Sequence, residues 1–383
     1  MDTAGKVNGS AKFGLDYRPE GTLTALIAKP PRFGGKVKSF DATAAKNVAG
    51  VTDVVQIPQG VAVLAKDMWA AMKGREALKV EWDESAAEKR GSAEIMADYK
   101  KLAAAPGTNV RKDGDVAAAL KGAKKTITAE FEFPYLAHAC LETMNCTVVL
   151  KPDACEIWSG SQMPTADQLT AAGIAGLKPE QVKVHSMLAG GSFGRRITPT
   201  SDIVNEAVHI AKAIGGKAQV KLVHTREDDI RGGWYRPMTL HRFTAGFDAK
   251  GLPTVWDHRV VTQGILAGTP FLPPGQMDFT ATEGSSTLPY AFPNLSVDVH
   301  LAQTGIPVLW WRAVGSTHSA YATEVFVDQV ARAAKKDPVA FRRELLTKHP
   351  RHLGVLNLAA EKAGWDTPLP KGKARGIAVH ESF

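Results

Sequence analysis

At 383 residues, 44% hydrophobic and 22% charged, the sequence has the length of two or three domains and the composition of an ordinary globular protein. Its net charge of +8 is dispersed in small clusters such as Lys124-Lys125 and Lys335-Lys336, without the aromatic-laced basic stripe of a nucleic-acid binder. No apolar run approaches the roughly 20 residues of a membrane span, and the opening residues Met1 to Lys6 lack the apolar core of a signal peptide.

The first eighty residues predict a self-contained α+β unit. Strands are expected over 22–28, 51–57, 60–65 and 77–82, with one helix over 41–48 capped by Asp41 and another from Asp67 to Arg75. Residues 84–124 are charged, alanine-rich and weakly periodic, broken at Pro106-Gly107 and Asp113-Gly114, and read as a helical linker. A second body opens at 125–133, where Ile127, Ala129, Phe131 and Phe133 alternate as in a half-buried strand. Strands follow at 145–150 and 155–159, then a helix over 164–175.

The stretch 182–214 organises this body. A strand over 182–188 feeds the loop Gly190-Gly191-Ser192-Phe193-Gly194-Arg195-Arg196, and Ile203, Ala207, Ile210, Ala211 and Ile214 then recur at helical spacing. Such a loop reads either as an anion cradle at a helix N-terminus, its arginines supplying forked donors, or as a tight turn whose arginines face water. Beyond it come a strand at 218–224, a polar loop at 225–229, and a hairpin of 240–247 with 255–263. Residues 264–293, rich in Gly, Pro, Ser and Thr, form a long ordered loop or lid. A strand over 295–303 precedes Trp310-Trp311-Arg312 and helices from about 320 and from Asp337-Pro338, and 376–383 reads as a strand entering a sheet.

Three further clusters place polar groups in unusual company. His138 and Glu142, four apart, could ligate a metal on a helix, but the flanking strands favour a buried bend. Gln162, after Trp158-Ser159-Gly160-Ser161, either offers its amide to an oxo or carbonyl group or caps the next helix. Arg312, flanked by tryptophans, is expected to be desolvated and paired with a carboxylate or an anionic ligand. Cys140, Cys146 and Cys155 lack C-x-x-C spacing, so no iron–sulfur or zinc site is read from this chain, and Cys146 reads as a buried thiol. H-E-x-x-H and G-x-x-x-x-G-K-[ST] are absent. An NAD site is disfavoured because the loop lacks G-x-G-x-x-G spacing and a suitably placed acidic residue.

In this order the clusters resemble the large subunit of the molybdenum hydroxylases, the xanthine dehydrogenase and aldehyde oxidase family, and within it the isoquinoline 1-oxidoreductase β-subunit branch. The Lys6 to Phe13 and Trp69 to Arg75 stretches resemble the family's a/b hammerhead domain, 138–146 its H-x-x-x-E-x-x-N turn, and 190–196 the branch's form of G-G-G-F-G-G-K. The resemblance implies an a/b hammerhead-like domain over 1–83, a linker over 84–124, a first molybdopterin-binding α/β domain over 125–335 and the start of a second over 336–383. It implies cofactor-binding roles for Gln162, Gly190, Gly191, Ser192, Phe193, Gly194, Arg195 and Arg312, with no direct metal ligand. Gln162 stands where a glutamine hydrogen-bonds an oxo ligand of molybdenum, Phe193 where the loop backbone packs against the metal centre and pterin, and Arg312 where an arginine anchors the pocket.

The implied cofactor is molybdopterin cytosine dinucleotide. The implied reaction inserts water-derived oxygen into an N-heteroaromatic ring or an aldehyde. Electrons pass to a small subunit carrying [2Fe–2S] clusters, and a cytochrome c is the implied acceptor, with twin-arginine export to the bacterial periplasm. Three departures qualify the likeness. Ile197 follows Arg196 where the family has a glutamate shortly after its loop, and Val314-Gly315-Ser316 replaces phenylalanine-glycine-glycine. The general-base glutamate of a Gly-Glu-Pro segment is expected beyond Phe383, so the chain reads as an internal portion of a longer subunit. The alternative is a cofactor-free binding or assembly protein that retains the fold.

Overall fold

The computed structural model describes residues 3–267 and 269–382. Gly268, within the long loop, and Phe383, at the end of the expected last strand, lie outside the described residues, as do Met1 and Asp2 of the opening segment. The fold is α+β, and its contacts divide the chain into two interleaved units. The first comprises the segment up to Lys89, Ala137–Arg236 and Gly305–Trp311; the second comprises Arg90–Leu136, Pro237–Thr304 and the segment from Arg312 onward.

The first unit is built on a seven-stranded mixed sheet. Its strands lie in the order Val182–Ser186, Cys155–Ser159, Asn145–Leu150, Val220–Val223, Leu23–Ala28, Gly60–Ala65 and Val51–Ile57. Leu23–Ala28 runs parallel to Val220–Val223 and antiparallel to Gly60–Ala65. Three strands of the first eighty residues are therefore part of a sheet shared with later strands. The reason is visible in Ala25, Leu26 and Ile27, which are buried on both faces, so the strand must be central rather than an edge. Helices Pro164–Ala175 and Asp202–Ala213 supply Ala171, Ile203, Ala207 and Ile210 to one core against Val148, Ile157 and Leu222.

Several local expectations meet their physical cause. Asp67 caps Met68–Ala77 by accepting the Ala70 N–H at 2.8 Å. Asp41 is not a helix cap: it ends the strand Lys36–Asp41, which pairs with Lys79–Asp83, and the helix that follows is only Thr43–Lys46. Lys36–Asp41 lacks a strand's alternation because its inward residues, Val37 and Phe40, are three apart, with a register shift between Val37 and Ser39. Residues 225–229 are not a loop but the start of helix Arg226–Arg231, because Thr225 and Asp228 exchange side-chain and backbone bonds as a capping box.

The second unit carries a five-stranded sheet in the order Thr108–Asp113, Asn294–Leu301, Pro253–Thr262, Thr239–Phe247 and Lys125–Phe133. Residues 84–124 thus contain a sheet strand as well as helices Ser92–Ala103 and Val116–Gly122. Helices Ser316–Ala333, Pro338–Leu345 and Pro350–Lys362 complete the unit, with Phe243, Trp256, Phe326 and Phe341 in its core. The long loop is ordered by the fully buried Asp278, whose carboxylate accepts the N–H groups of Leu266 at 2.7 Å and Thr280 at 3.0 Å. Residues 376–382 do not form the expected strand. Val379 instead donates its N–H to Glu324 at 3.0 Å, a bond to a helix side chain that replaces sheet pairing.

Candidate functional site

The loop 190–196 hangs from the end of strand Val182–Ser186 in the first unit, and its backbone is unusual. Gly191 and Gly194 both have φ of +102°, and between them Phe193 holds φ of +56°, a left-handed conformation costly for a side-chain-bearing residue. Phe193 is also 42% exposed, so neither burial nor a steric need of its ring explains the strain. Among the described residues, the N–H groups of Gly191, Ser192, Phe193 and Gly194 have no hydrogen-bond partner. Four consecutive free donors in a glycine-bearing loop are what a backbone anion site requires.

Glu142 fixes that loop. Its carboxylate accepts the N–H of Gly190 at 2.6 Å, the N–H of Leu15 at 2.7 Å and the Asn145 amide at 3.0 Å, and it pairs with Arg196 at 3.2 Å. Arg196 also donates to the carbonyls of Gly191 at 2.9 Å and Glu142 at 3.0 Å. Gly190 admits no side chain, because a Cβ there would lie 2.6 Å from the Glu142 Cβ. The bend 138–145 is thus a structural clamp, and Glu142, which sequence analysis leaves outside the site, is its centre. Its spacing from Asn145 was the available signal, since both turn toward the same loop.

The arginines differ from their expected use. Arg195 and Arg196 are 2% and 6% exposed, and neither guanidinium faces water or an open anion site. Arg195 grips Asp202 through two bonds of 3.2 and 2.7 Å. Burial alone would raise the Asp202 carboxyl, but Arg195 overrides it and holds the group below the usual carboxylate range. The loop also does not open directly into the helix. Residues 197–201 intervene, and Asp202 occupies the first turn of Asp202–Ala213.

Gln162 lies beside the loop. Ser192 Oγ accepts the Arg196 N–H at 3.1 Å and donates its single hydrogen to Gln162 Oε1. The Gln162 N–H is itself held by the Arg196 carbonyl at 3.1 Å. With its oxygen engaged, the Gln162 amide has both N–H hydrogens left to donate, and among the described residues they have no partner.

Gly190-Gly191-Ser192-Phe193-Gly194 also spells G-x-S-x-G, the pentapeptide of a hydrolase nucleophile elbow. The Ser192 hydroxyl is spent on Arg196 and Gln162 and has no imidazole partner, so it is not an activated nucleophile.

His138 donates its Nε2–H to the Trp310 carbonyl at 3.0 Å, and burial pushes its pKa down to about 4. Cys140, Cys146 and Cys155 are all free and buried.

Arg312 belongs to the second unit and is exposed, so the expected desolvation does not occur. The strain there lies just after it, where Ala313 and Val314 hold φ of +69° and +44°. Gly315 follows with its N–H bonded to Glu283 at 2.7 Å.

Comparison with known proteins bears on this arrangement. The model of the molybdopterin cofactor-binding domain matches residues 102–346. The chain is 32% identical to a membrane-bound aldehyde dehydrogenase [pyrroloquinoline-quinone] of Gluconacetobacter polyoxogenes, over 99% of the chain and 53% of that protein. It is 30% identical to isoquinoline 1-oxidoreductase subunit beta of Brevundimonas diminuta, over 98% of the chain and 50% of that protein. It thus spans about half the length of the curated relatives it matches. Quinoline 2-oxidoreductase from Pseudomonas putida 86 shares the fold with a TM-score of 0.77 at 16% identity, over 96% of the chain and 53% of that one. Aldehyde oxidoreductase from Desulfovibrio gigas does so with a TM-score of 0.66 at 19% identity, over 95% and 46%.

Proposed function

The chain belongs to the molybdopterin cofactor-binding family of molybdenum hydroxylase large subunits, and from that premise we propose that its 190–196 loop and Gln162 hold the cofactor of an oxidoreductase. The observation that carries this reading is the pairing of four free loop N–H groups with a glutamine amide whose oxygen is already engaged. Bound there, the cofactor would supply two-electron oxidation and the transfer of water-derived oxygen. The chain supplies the rest. The N–H groups of Gly191 to Gly194 bind an anionic group, and the Gln162 amide donates to an acceptor on the reacting side. Phe193 presents an exposed ring, and Gly190 and Glu142 keep the loop in register. Arg195 acts by bracing the loop onto Asp202. Arg312, exposed and cationic, is assigned to an anionic part of the cofactor.

The substrate class is an N-heteroaromatic ring or an aldehyde, and the cofactor form is the cytosine dinucleotide. Electrons leave to a [2Fe–2S] partner subunit and then to a cytochrome c. Export to the periplasm follows the same branch likeness. No helix of the described residues is long and apolar enough to cross a membrane.

The test is oxidation of an N-heteroaromatic substrate by the purified holo-complex in ¹⁸O-water, with an artificial electron acceptor. Label in the hydroxylated product supports the hydroxylase reading. Turnover whose product oxygen is unlabelled, or which persists in preparations free of molybdenum, overturns it and favours the quinone for which one relative is named. A folded complex with neither turnover nor molybdenum favours the cofactor-free scaffold.

A further inference from the structure

A second cavity of about 430 Å³ opens within the first unit, away from the Gln162–Ser192 contact. That volume lies in the range of small-molecule sites. Part of its lining is polar, with half-buried Lys29, Gln59 and Asn205 set around buried Glu206. Glu206 is 4% exposed and holds Lys29 at 2.6 Å and His224 at 3.0 Å, while Lys29 approaches His224 at 3.4 Å. An ammonium has three donors, so Lys29 keeps one beyond these two contacts. Gln59 donates its amide to Asn205 at 2.7 Å, and its buried Oε1 has no partner. The polar lining therefore presents one donor and one unsatisfied acceptor, the edge pattern of a lactam or amide. Its walls include the rings of Phe33 and Trp234, which suit a flat body.

The charges decide what else the ligand carries. Asp202 is held by Arg195, Glu206 by Lys29, and Arg32 by Glu84 at 3.0 Å. Arg231, exposed in the last turn of Arg226–Arg231, is the lining cation that makes no ion pair within 4.0 Å among the described residues, its nearest opposite charge being Glu227 one turn back. A guanidinium there matches one carboxylate or phosphate.

We propose that this cavity is a binding site for a flat heteroaromatic monoanion, read by Gln59 and Lys29 at its lactam edge and by Arg231 at its acidic group. The site stands on this cavity alone and does not depend on the cofactor reading. It adjoins the other site through Asp202, which lines the cavity and anchors Arg195 of the glycine loop, and through Gly233, which lies beside the same guanidinium.

Three probes separate its parts: orotate carries both lactam and carboxylate, uracil lacks the carboxylate, and benzoate lacks the lactam. Calorimetric titration of the natural full-length protein in its complex is expected to show orotate binding at least about tenfold more tightly than either partial probe. Arg231→Ala should weaken orotate about tenfold and leave uracil unchanged. Gln59→Leu should weaken orotate and uracil but not benzoate. Gln162→Ala should leave orotate binding intact. Equal affinities for the three probes, no binding at millimolar concentration, insensitivity to Arg231→Ala, or loss of orotate binding in Gln162→Ala would each overturn the assignment.

Discussion

The Ser192 hydroxyl donates to Gln162 Oε1 while accepting the Arg196 N–H, so one serine fixes which end of the glutamine amide faces outward. The polarity of that amide is what suits Gln162 to donate to a bound acceptor. Removing the amide in Gln162→Ala is expected to lower kcat about a hundredfold, the typical loss for one donor aimed at developing charge. Ser192→Ala should lower kcat about tenfold with KM little changed, because the amide survives but can flip. Steady-state kinetics of the complex decide it. Unchanged kcat in Gln162→Ala contradicts the role.

Glu142 is the second control point, and its effect is on stability. Glu142→Ala leaves buried Arg196 without its carboxylate and strips acceptors from the Gly190 and Leu15 N–H groups. The expected cost is about 3–5 kcal/mol, the range for breaking a buried pair from one side. Glu142→Gln, which keeps an acceptor oxygen, should cost clearly less. Urea midpoints of the three proteins check this. Equal midpoints would mean that the loop does not depend on the clamp.

Two glycines separate backbone strain from crowding. Gly176 has φ of +76° and open space around a built Cβ, so Gly176→Ala should cost about 1 kcal/mol. Gly194 has φ of +102°, and a Cβ there would sit 2.7 Å from the Trp310 carbonyl oxygen. Gly194→Ala should therefore cost about 3 kcal/mol or more, since the neighbour is backbone and cannot swing away. Thermal denaturation of both variants gives the comparison.

Acid sensitivity should begin above the carboxylate range. Burial holds His138 at about 4 and His258 at about 3, and it lowers His241 as well. These groups are neutral when folded yet bind protons near pH 6.5 when unfolded. The unfolded chain then carries more protons, so stability is full above about pH 6.5 and falls as pH drops toward the folded values. Each histidine contributes at most about 1.4 kcal/mol per pH unit in that window. Urea unfolding at pH 7 and pH 5 is expected to show the loss before ordinary carboxylates titrate. A midpoint that is flat between them would contradict it.

Much of the architecture was legible because burial leaves periodicity. Strands Val51–Ile57, Gly60–Ala65, Lys125–Phe133, Asn145–Leu150 and Cys155–Ser159 and helix Pro164–Ala175 fall where alternation and caps place them. What escaped has a common cause: a partner distant in sequence. Lys36–Asp41 is recognisable only beside Lys79–Asp83, and Leu23–Ala28 finds its parallel neighbour nearly two hundred residues later. At the site, the glycine loop and Gln162 stood out by type and spacing. The clamp did not, because Glu142 and Arg196 meet across 54 positions of chain and each alone reads as an ordinary charge. The loop arginines escape for the same reason: whether as anion donors or as water-facing side chains, neither reading shows the carboxylates they are buried against.

The central claim is that the 190–196 loop with Gln162 holds a molybdenum cofactor, and molybdenum content of the purified holo-complex tests it most directly. Elemental analysis with quantitation of released cytidine nucleotide is expected to give stoichiometric molybdenum and nucleotide per large subunit, and a marked loss of both in Glu142→Ala preparations that remain folded. A complex that turns over substrate with neither molybdenum nor cytidine nucleotide would contradict the account.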